Sequence, residues 1–237
     1  MSDQRMPRSG DRIRRIPELA HYDRATIDAV LDAGMVAHVG IVDAGGEPVV
    51  IPMAYARSGD EVVVHGSVAS RLMRHGAAGA AGAPDGQRVV CLTVTLLDGL
   101  IVARSLFESS MRYRSVVVRG VPRSIEDLEE KSAALLALSD RLIPGRVSEA
   151  RLPTEKELAA TRVFALSLDG ATAKVGDGFS DDPPDDVSLP IWSGVVPLET
   201  TWGPPEPSPD LADGIAVPTS VSALAHDPRL ERPERSG

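Results

Sequence analysis

The chain has 237 residues, a formal net charge of −9 at pH 7, and hydrophobic side chains at 43% of its positions. This composition can supply a buried core, and it contains no run of about 18 apolar residues that would predict a membrane-spanning helix. The negative charge argues against nucleic acid as the main partner, and the single cysteine, Cys91, excludes an intramolecular disulfide and a cysteine-rich metal site.

Residues 1–16 form a polar arm that carries five arginines. The arm lacks the apolar segment and the small-residue cleavage site of a secretion signal, so we expect the protein to be cytoplasmic. A basic arm could contact nucleic acid, but more often such a segment is disordered or lies against an acidic partner subunit.

The first predicted helix follows Asp23, a natural N-cap residue, and stops at Gly34. One face of this helix is apolar and should be buried: Ile27, Val30 and Leu31. A short helix is predicted at 68–77, followed by a small-residue loop at 76–86.

Two later helices are predicted from capping patterns. Ser124 and Asp127 resemble a capping box that opens a helix to about residue 142, and Thr154 with Glu157 caps a shorter helix. Three leucines of the longer helix are expected to face the sheet: Leu128, Leu135 and Leu138.

Strand-like segments dominate the rest of the chain. Strands are predicted at seven places: 35–42, 48–57, 61–66, 88–97, 100–105, 114–121 and 162–168. Asp98-Gly99 is expected to form a tight hairpin between two of them. Many short strands with tight turns and few helices predict an antiparallel β-barrel with helices on its ends.

The domain organisation follows from composition. We expect one barrel domain over residues 17–202, after the basic arm of 1–16. Residues 203–237 are rich in proline and poor in large apolar side chains, and they are predicted to be a mobile, acidic tail. The apolar stretch at 189–198 should dock on the domain.

The segment His65-Gly-Ser-Val-Ala-Ser-Arg71 is the most informative motif. A strand ends there, and the hydroxyls of Ser67 and Ser70 precede Arg71 at the start of a helix. Backbone N–H groups, hydroxyls and a guanidinium can together hold a phosphate. The alternative is an ordinary serine-capped helix with a solvent-facing arginine.

With the preceding Pro48-Val-Val-Ile-Pro-Met-Ala-Tyr55, this motif resembles the pyridoxamine 5'-phosphate oxidase superfamily. More narrowly, it is similar to the branch of flavin-nucleotide-binding proteins related to nitroimidazole-resistance reductases. Further segments match in the same order: Thr93-Val-Thr-Leu-Leu-Asp-Gly99, Met111-Arg-Tyr-Arg-Ser-Val-Val-Val-Arg-Gly120 and Trp192-Ser-Gly-Val-Val-Pro197. The resemblance covers about residues 12–198.

The resemblance implies a six-stranded antiparallel split β-barrel that forms a homodimer and holds FMN between the subunits. The residues that it implies for cofactor binding are Val50, Ile51 and Pro52 at the flavin ring edge, His65 and Gly66 along the ribityl chain, Ser67, Ser70 and Arg71 around the phosphate, Ser115 from the partner subunit, and Trp192 near the ring. Leu72 departs from the pattern, because the oxidases usually carry lysine there. Together with the lack of their basic C-terminal motif, this argues against vitamin B6 oxidase activity.

His38 and Tyr113 are the catalytic candidates, each with a structural alternative. His38 lies on the first barrel strand, where it either faces the flavin cleft or is a satisfied structural histidine. Tyr113 either contacts substrate or packs in the core. The histidines have no metal-ligand spacing with carboxylates, so no metal site is expected.

The function expected from this resemblance is that of an FMN-dependent oxidoreductase, which reduces a small aromatic or nitro-type acceptor with a nicotinamide donor. One alternative is a non-catalytic flavin carrier or sensor. Another is a relative that binds deazaflavin F420 or haem on the same barrel, since one fold can host several cofactors.

Overall fold

The computed structural model describes residues 12–43, 45–77 and 89–230. Most of the basic arm, nearly all of the loop predicted at 76–86 and the last seven residues of the tail therefore lie outside the described part of the chain. Within the described ranges, no helix has both the length and the apolar character needed to cross a bilayer.

Antiparallel strands dominate the structure, as predicted. The strands are β1 (Ala20–His21), β2 (Val36–Val42), β3 (Pro48–Ser58), β4 (Glu61–Ser67), β5 (Val90–Val102), β6 (Ser110–Gly120), β7 (Arg123–Ser124), β8 (Thr161–Ser167), β9 (Thr172–Gly176) and β10 (Gly194–Pro197). The described residues thus form ten strands where the resemblance implied six. The difference comes partly from short pieces, because β1 and β7 have two residues each and β10 has four.

Helices connect and flank the strands. They are α1 (Arg24–Ala33), α2 (Arg71–Ala77), α3 (Leu128–Leu142), α4 (Glu155–Ala160), α5 (Pro184–Val187) and α6 (Thr219–Ser222). The prediction for α1 is confirmed: the Asp23 carboxylate accepts a hydrogen bond from the Thr26 N–H at 2.8 Å, and Gly34 ends the helix. Its three predicted apolar residues are buried.

The start of α3 differs from the prediction. The Asp127 carboxylate accepts a hydrogen bond from the Glu130 N–H at 2.8 Å, so the helix begins at Leu128. Ser124 instead belongs to β7, which pairs with β8. Leu128 is consequently 64% exposed, whereas Leu138 is buried and Leu135 packs against the core, as predicted.

The predicted hairpin at Asp98-Gly99 is wrong. β5 runs without interruption from Val90 to Val102, and β10 pairs with it through Pro197 opposite Gly99. A Cβ atom on Gly99 would lie only 2.6 Å from the carbonyl oxygen of Val196. Glycine is needed here because β10 passes very close. In the sequence alone, a glycine required for close strand packing looks the same as a glycine required for a turn.

The chain divides into two compact units, which are described separately. Unit 1 comprises Met1–Gly34, Thr93–Val118 and Asp169–Thr200. Its strands follow the order β1-β9-β6-β5-β10. Ion pairs brace it: Arg114 holds Asp98 with two hydrogen bonds of 2.9 and 2.8 Å, and Arg104 holds Asp182 at 2.7 Å.

Unit 2 comprises Met35–Leu92, Arg119–Leu168 and Thr201–Gly237, with the strand order β2-β3-β4-β8-β7. Apolar residues fill both faces of its sheet. On one face, α3 covers a cluster of Ala56, Val63, Ile125, Ala134, Leu138, Val163 and Ala165. Other apolar side chains surround an enclosed interior space: Val39, Val62, Val64, Leu72, Val90, Leu92, Pro122, Phe164 and Leu166.

The C-terminal segment has two parts. Residues 201–217 are exposed throughout, in keeping with the mobility predicted for them, which stays a prediction. Farther along, Arg229 pairs with Asp227 and donates to the carbonyl oxygens of Arg141 and Leu142 at the end of α3. Ser220 also donates to the Glu149 carboxylate, so residues 219–230 pack on the rest of unit 2.

Candidate functional site

The predicted site residues fall into both units. Unit 2 contains His38, Val50, Ile51, Pro52, His65, Gly66, Ser67, Ser70 and Arg71. Unit 1 contains Tyr113, Ser115 and Trp192. Each group is described within its own unit.

The outer face of β2 and β3 carries His38. In the antiparallel ladder His38 lies opposite Pro52, and Gly40 lies opposite Val50, so these side chains share one face. Val36, Val42 and Val50 on this face are 49%, 57% and 64% exposed. His38 is therefore not a buried structural histidine, and it stands on an exposed, largely apolar surface.

β3 also has an open backbone edge. It pairs with β2 over 48–54 but with β4 only over 55–58, so its second edge lacks a strand partner at Val50, Ile51 and Pro52 among the described pairings. Pro52 has no N–H and fits a position without a ladder bond, which implies that the backbone groups of Val50 point toward the open edge. Unpaired backbone groups of this kind can hydrogen-bond the edge of a planar heterocycle.

The turn from β4 into α2 brings together Gly66, Ser67 and Ser70. The Ser70 hydroxyl accepts from the Met73 N–H at 3.3 Å and caps α2, while the Ser67 hydroxyl accepts from the Ala69 N–H at 3.3 Å. A Cβ atom on Gly66 would lie 3.4 Å from the Ser70 hydroxyl, so these residues form one compact turn. The Arg71 side chain is exposed beside it.

The position of Leu72 explains why this chain lacks the lysine that the oxidases usually carry after the phosphate-binding arginine. Its side chain is 2% exposed and lines the enclosed interior space of unit 2. A lysine at this position would bury an unpaired charge, which is strongly unfavourable. Leu72 is thus a core residue, and it does not face a phosphate beside Arg71.

The His65 side chain does not belong to the turn formed by Gly66, Ser67 and Ser70, which we call the serine turn. It pairs with Val163 in the ladder between β4 and β8 and shares the face of Val63, beneath α3. The ring is half-buried and its Nδ1 atom is enclosed, with no hydrogen-bond partner among the described residues. Burial lowers the pKa of His65 below its usual value of 6.5, so the ring is neutral at pH 7.

A groove of about 380 Å³ opens at His65 between α3, α4 and β8. Its remaining lining is Leu135, Leu138, Ser139, Leu142, Arg151, Pro153, Glu157 and Thr161. Arg151 holds the Glu157 carboxylate through bonds of 2.9 and 2.8 Å, and that carboxylate also completes the capping box with Thr154. These contacts lower the pKa of Glu157 to about 2.

The groove was missed from the sequence, although part of its signal is present. Leu135, Leu138 and Leu142 recur at helical spacing, which predicts an apolar stripe on α3. The spacing does not indicate that these leucines line an open groove beside His65.

In unit 1, Tyr113 and Ser115 lie on β6 opposite Gly176 and Lys174 of β9. The Tyr113 ring lies over Gly176, where a Cβ atom would be 3.3 Å from the ring. This contact favours the packing alternative for Tyr113. Ser115 is half-buried beside Lys174, whose ammonium donates to the carbonyl oxygen of Arg15 at 3.0 Å.

Trp192 is 64% exposed and folds over Gly194 at the start of β10. A Cβ atom on Gly194 would lie 2.9 Å from the indole ring, so the glycine allows this position of the ring. An exposed tryptophan presents an aromatic surface to a ligand or a partner.

No group of three or more histidine, cysteine, aspartate or glutamate side chains could hold a metal ion in the part of the chain that the structure describes.

Comparison with known proteins identifies the family. Residues 23–175 match the family described as pyridoxamine 5'-phosphate oxidase. No curated protein matches the sequence.

Two solved structures resemble the chain over most of its length. The FAD and haem binding protein from Mycobacterium smegmatis has 40% sequence identity and a TM-score of 0.80, over 87% of this chain and 97% of that protein. The flavocytochrome Anf3 from Azotobacter vinelandii has 36% identity and a TM-score of 0.83, over 91% of this chain and 96% of that protein.

A third structure shares the fold. A protein proposed to confer 5-nitroimidazole antibiotic resistance, from Bacteroides thetaiotaomicron, has 24% identity and a TM-score of 0.53, over 66% of this chain and 86% of its own. The antiparallel sheet and flanking helices of the present chain agree with the split-barrel fold of these proteins.

Proposed function

The chain belongs to the pyridoxamine 5'-phosphate oxidase family, and from this membership we propose that it is a cytoplasmic, homodimeric flavin-dependent oxidoreductase. FMN is the flavin implied by the sequence motifs. FAD is the second candidate, because the relative from Mycobacterium smegmatis is an FAD and haem binding protein.

The open edge of β3 is the observation that carries this proposal. Val50, Ile51 and Pro52 are the residues that the motif assigns to the flavin ring, and they occupy the stretch of β3 that has no second strand partner. The neighbouring surface is apolar and exposed, and His38 projects from it. A flat heterocycle placed here would satisfy backbone groups and cover apolar side chains at once.

The other site residues complete the proposal. Gly66, Ser67, Ser70 and Arg71 form the turn that would bind the flavin phosphate, and the exposed Arg71 guanidinium would supply its positive charge. Ser115 and Trp192 would act from the partner subunit. We leave His65 out of this set, because its ring lines a separate groove.

A bound flavin would supply the redox chemistry, while the protein binds and orients it. His38 is the residue that can donate a hydrogen bond to an acceptor above the outer face of β2 and β3. We propose a small aromatic or nitro-type acceptor and a nicotinamide donor. The alternative, a non-catalytic carrier or sensor, predicts no NAD(P)H consumption when a nitroaromatic acceptor is added.

A titration with FMN, FAD and riboflavin tests the flavin site. Arg71→Ala should weaken FMN binding by about one to two decades, since a charge-assisted contact contributes about 1.5–3 kcal/mol. Riboflavin lacks the phosphate, so its affinity should be the same for both proteins. Arg119→Ala, which changes another exposed arginine, is the control.

Equal losses of affinity for FMN and riboflavin would remove Arg71 from the phosphate site. Mass spectrometry of the ligand released from the purified protein identifies the cofactor, including F420. Recovery of neither FMN nor FAD, combined with no binding of either in titration, would contradict the proposed function.

Haem is a second cofactor that we propose, in addition to the flavin. Two relatives with 40% and 36% sequence identity to this chain are an FAD and haem binding protein and a flavocytochrome. The groove at His65 fits the group chemically, because it combines a neutral imidazole with leucine walls.

A further inference from the structure

The groove beside α3 has the composition of a site for a flat, mostly apolar ligand. Its volume of about 380 Å³ lies within the range of about 300–1,000 Å³ that small-molecule sites occupy. Leu135, Leu138 and Leu142 form an apolar wall on α3, and Pro153 continues it. The polar side chains of Ser139 and Arg151 are exposed.

His65 is the only histidine that lines this groove among the described residues. Its Nδ1 atom is enclosed, so we assign Nε2 as the ring nitrogen that would contact a ligand in the groove. A histidine binds a metal through the lone pair of a ring nitrogen, and half-burial at the edge of the groove places the His65 ring beside its apolar wall. Glu157, the acidic residue of the groove, is paired with Arg151.

One imidazole cannot hold a metal ion alone, and the described residues contain no group of three potential ligands. A metal bound at His65 must therefore bring most of its ligands with it. Haem iron meets this requirement, since the nitrogens of the macrocycle surround the iron and leave the axial positions to the protein. The macrocycle would also cover the leucine wall.

We propose that this groove binds haem, with His65 Nε2 as an axial ligand of the iron and the α3 leucines against the macrocycle. Ser139 and Arg151 are the exposed polar side chains nearest to where the haem propionates would lie, and Arg151 would have to share its guanidinium between them and Glu157. The inference rests on the proposed haem binding and assigns it to a site distinct from the open edge of β3.

Absorbance titration of the full-length chain with haemin tests the assignment. We expect a Soret band for the parent protein, and for His65→Ala a shifted band and an affinity at least about tenfold lower. Added imidazole should restore the parental band in His65→Ala. His65→Met, which offers a thioether in place of the imidazole, should give a band of its own. His226→Ala changes an exposed histidine outside the groove and should match the parent.

A second pair of variants tests the groove itself. Ser139→Trp fills it, whereas Ala133→Trp places the same side chain on an exposed position of α3 outside it. Only Ser139→Trp should block haemin. Thermal unfolding and FMN titration of every variant provide the check on folding, and both should match the parent.

The possible failures can be told apart. If the parent binds flavin but gives no Soret band, the proposed haem function fails together with this assignment. If haemin binds and His65→Ala keeps the parental band and affinity, the assignment alone is overturned. If His65→Ala instead weakens FMN binding, His65 lines the flavin site as the sequence motif implies.

Discussion

Individual glycines in unit 1 mark places where two chain segments approach each other closely. Gly99 lies directly beneath β10, and Gly194 lies beneath the Trp192 ring. Both positions exclude a side chain for steric reasons, and neither is a turn. Gly99 therefore depends on a strand that is distant in the sequence, whereas Gly194 accommodates a ring only two residues away.

Gly99→Ala should destabilise the protein. The added Cβ atom would lie 2.6 Å from the Val196 carbonyl oxygen, so β10 would have to move. Overpacking of this kind costs about 1–3 kcal/mol, which chemical denaturation can measure. Gly178→Ala is the matched control, because a Cβ atom there meets nothing within 4 Å. Equal stability of the two variants would contradict the close approach of β10.

At the scale of elements, α4 illustrates how local contacts define a short helix. Thr154 and Glu157 form a complete capping box, and Arg151 holds the Glu157 carboxylate from outside the helix. The helix is only six residues long, so these end contacts satisfy a large share of its unpaired N–H groups. It forms one side of the groove at His65.

The Glu157 contacts predict a specific response to acid. The pKa of Glu157 is lowered from 4.5 to about 2 by the Arg151 side chain and then by Thr154. Its contribution to stability is complete above pH 4.5 and is lost as the pH falls toward 2. Glu157→Gln should flatten the stability profile in that window, while Glu155→Gln should leave it unchanged. Thr154→Ala should cost about 1 kcal/mol at neutral pH.

The last turn of α3 is completed by the C-terminal segment. Arg229 donates to the Arg141 and Leu142 carbonyl oxygens in the last turn of the helix. Removing Arg229 should release residues 219–230 while the core of unit 2 stays folded.

Hydrogen exchange tests this contact. In Arg229→Ala, the amides of Ser220 and Arg141 and their neighbours should exchange at least about tenfold faster, equivalent to about 1.4 kcal/mol of local stability. Residues 203–217 should exchange rapidly in both proteins, because they are exposed. Leu211→Ala lies in that exposed stretch and serves as the control. Slow exchange throughout 203–217 would contradict the predicted mobility of the tail.

For the whole molecule, the exposed Trp192 and the open edge of β3 lead us to expect a dimer. Light scattering at micromolar concentration should report about twice the chain mass of 25.1 kDa. Trp192→Ala should weaken flavin binding if the indole covers the flavin ring from the partner subunit. Trp202→Ala, which changes another exposed tryptophan, should leave flavin binding unchanged. A monomer that retains flavin would overturn the dimer proposal.

The sequence by itself determined the elements whose signals are local. Asp23, Gly34, Thr154 and Glu157 act within a few residues of their partners, so the ends of α1 and α4 could be predicted. Family motifs likewise selected the β3 segment and the serine turn, and the family assignment is confirmed.

Only the tertiary structure decided features that depend on contacts between distant segments. The close approach of β10 requires glycine at position 99, and the interior space of unit 2 requires an apolar side chain at Leu72. Because β4 pairs with only part of β3, the backbone edge of β3 is open at Val50. The groove at His65 forms where residues of β4, α3, α4 and β8 come together. Burial and strand pairing depend on which segments contact each other in the folded chain, and local sequence patterns do not specify those contacts.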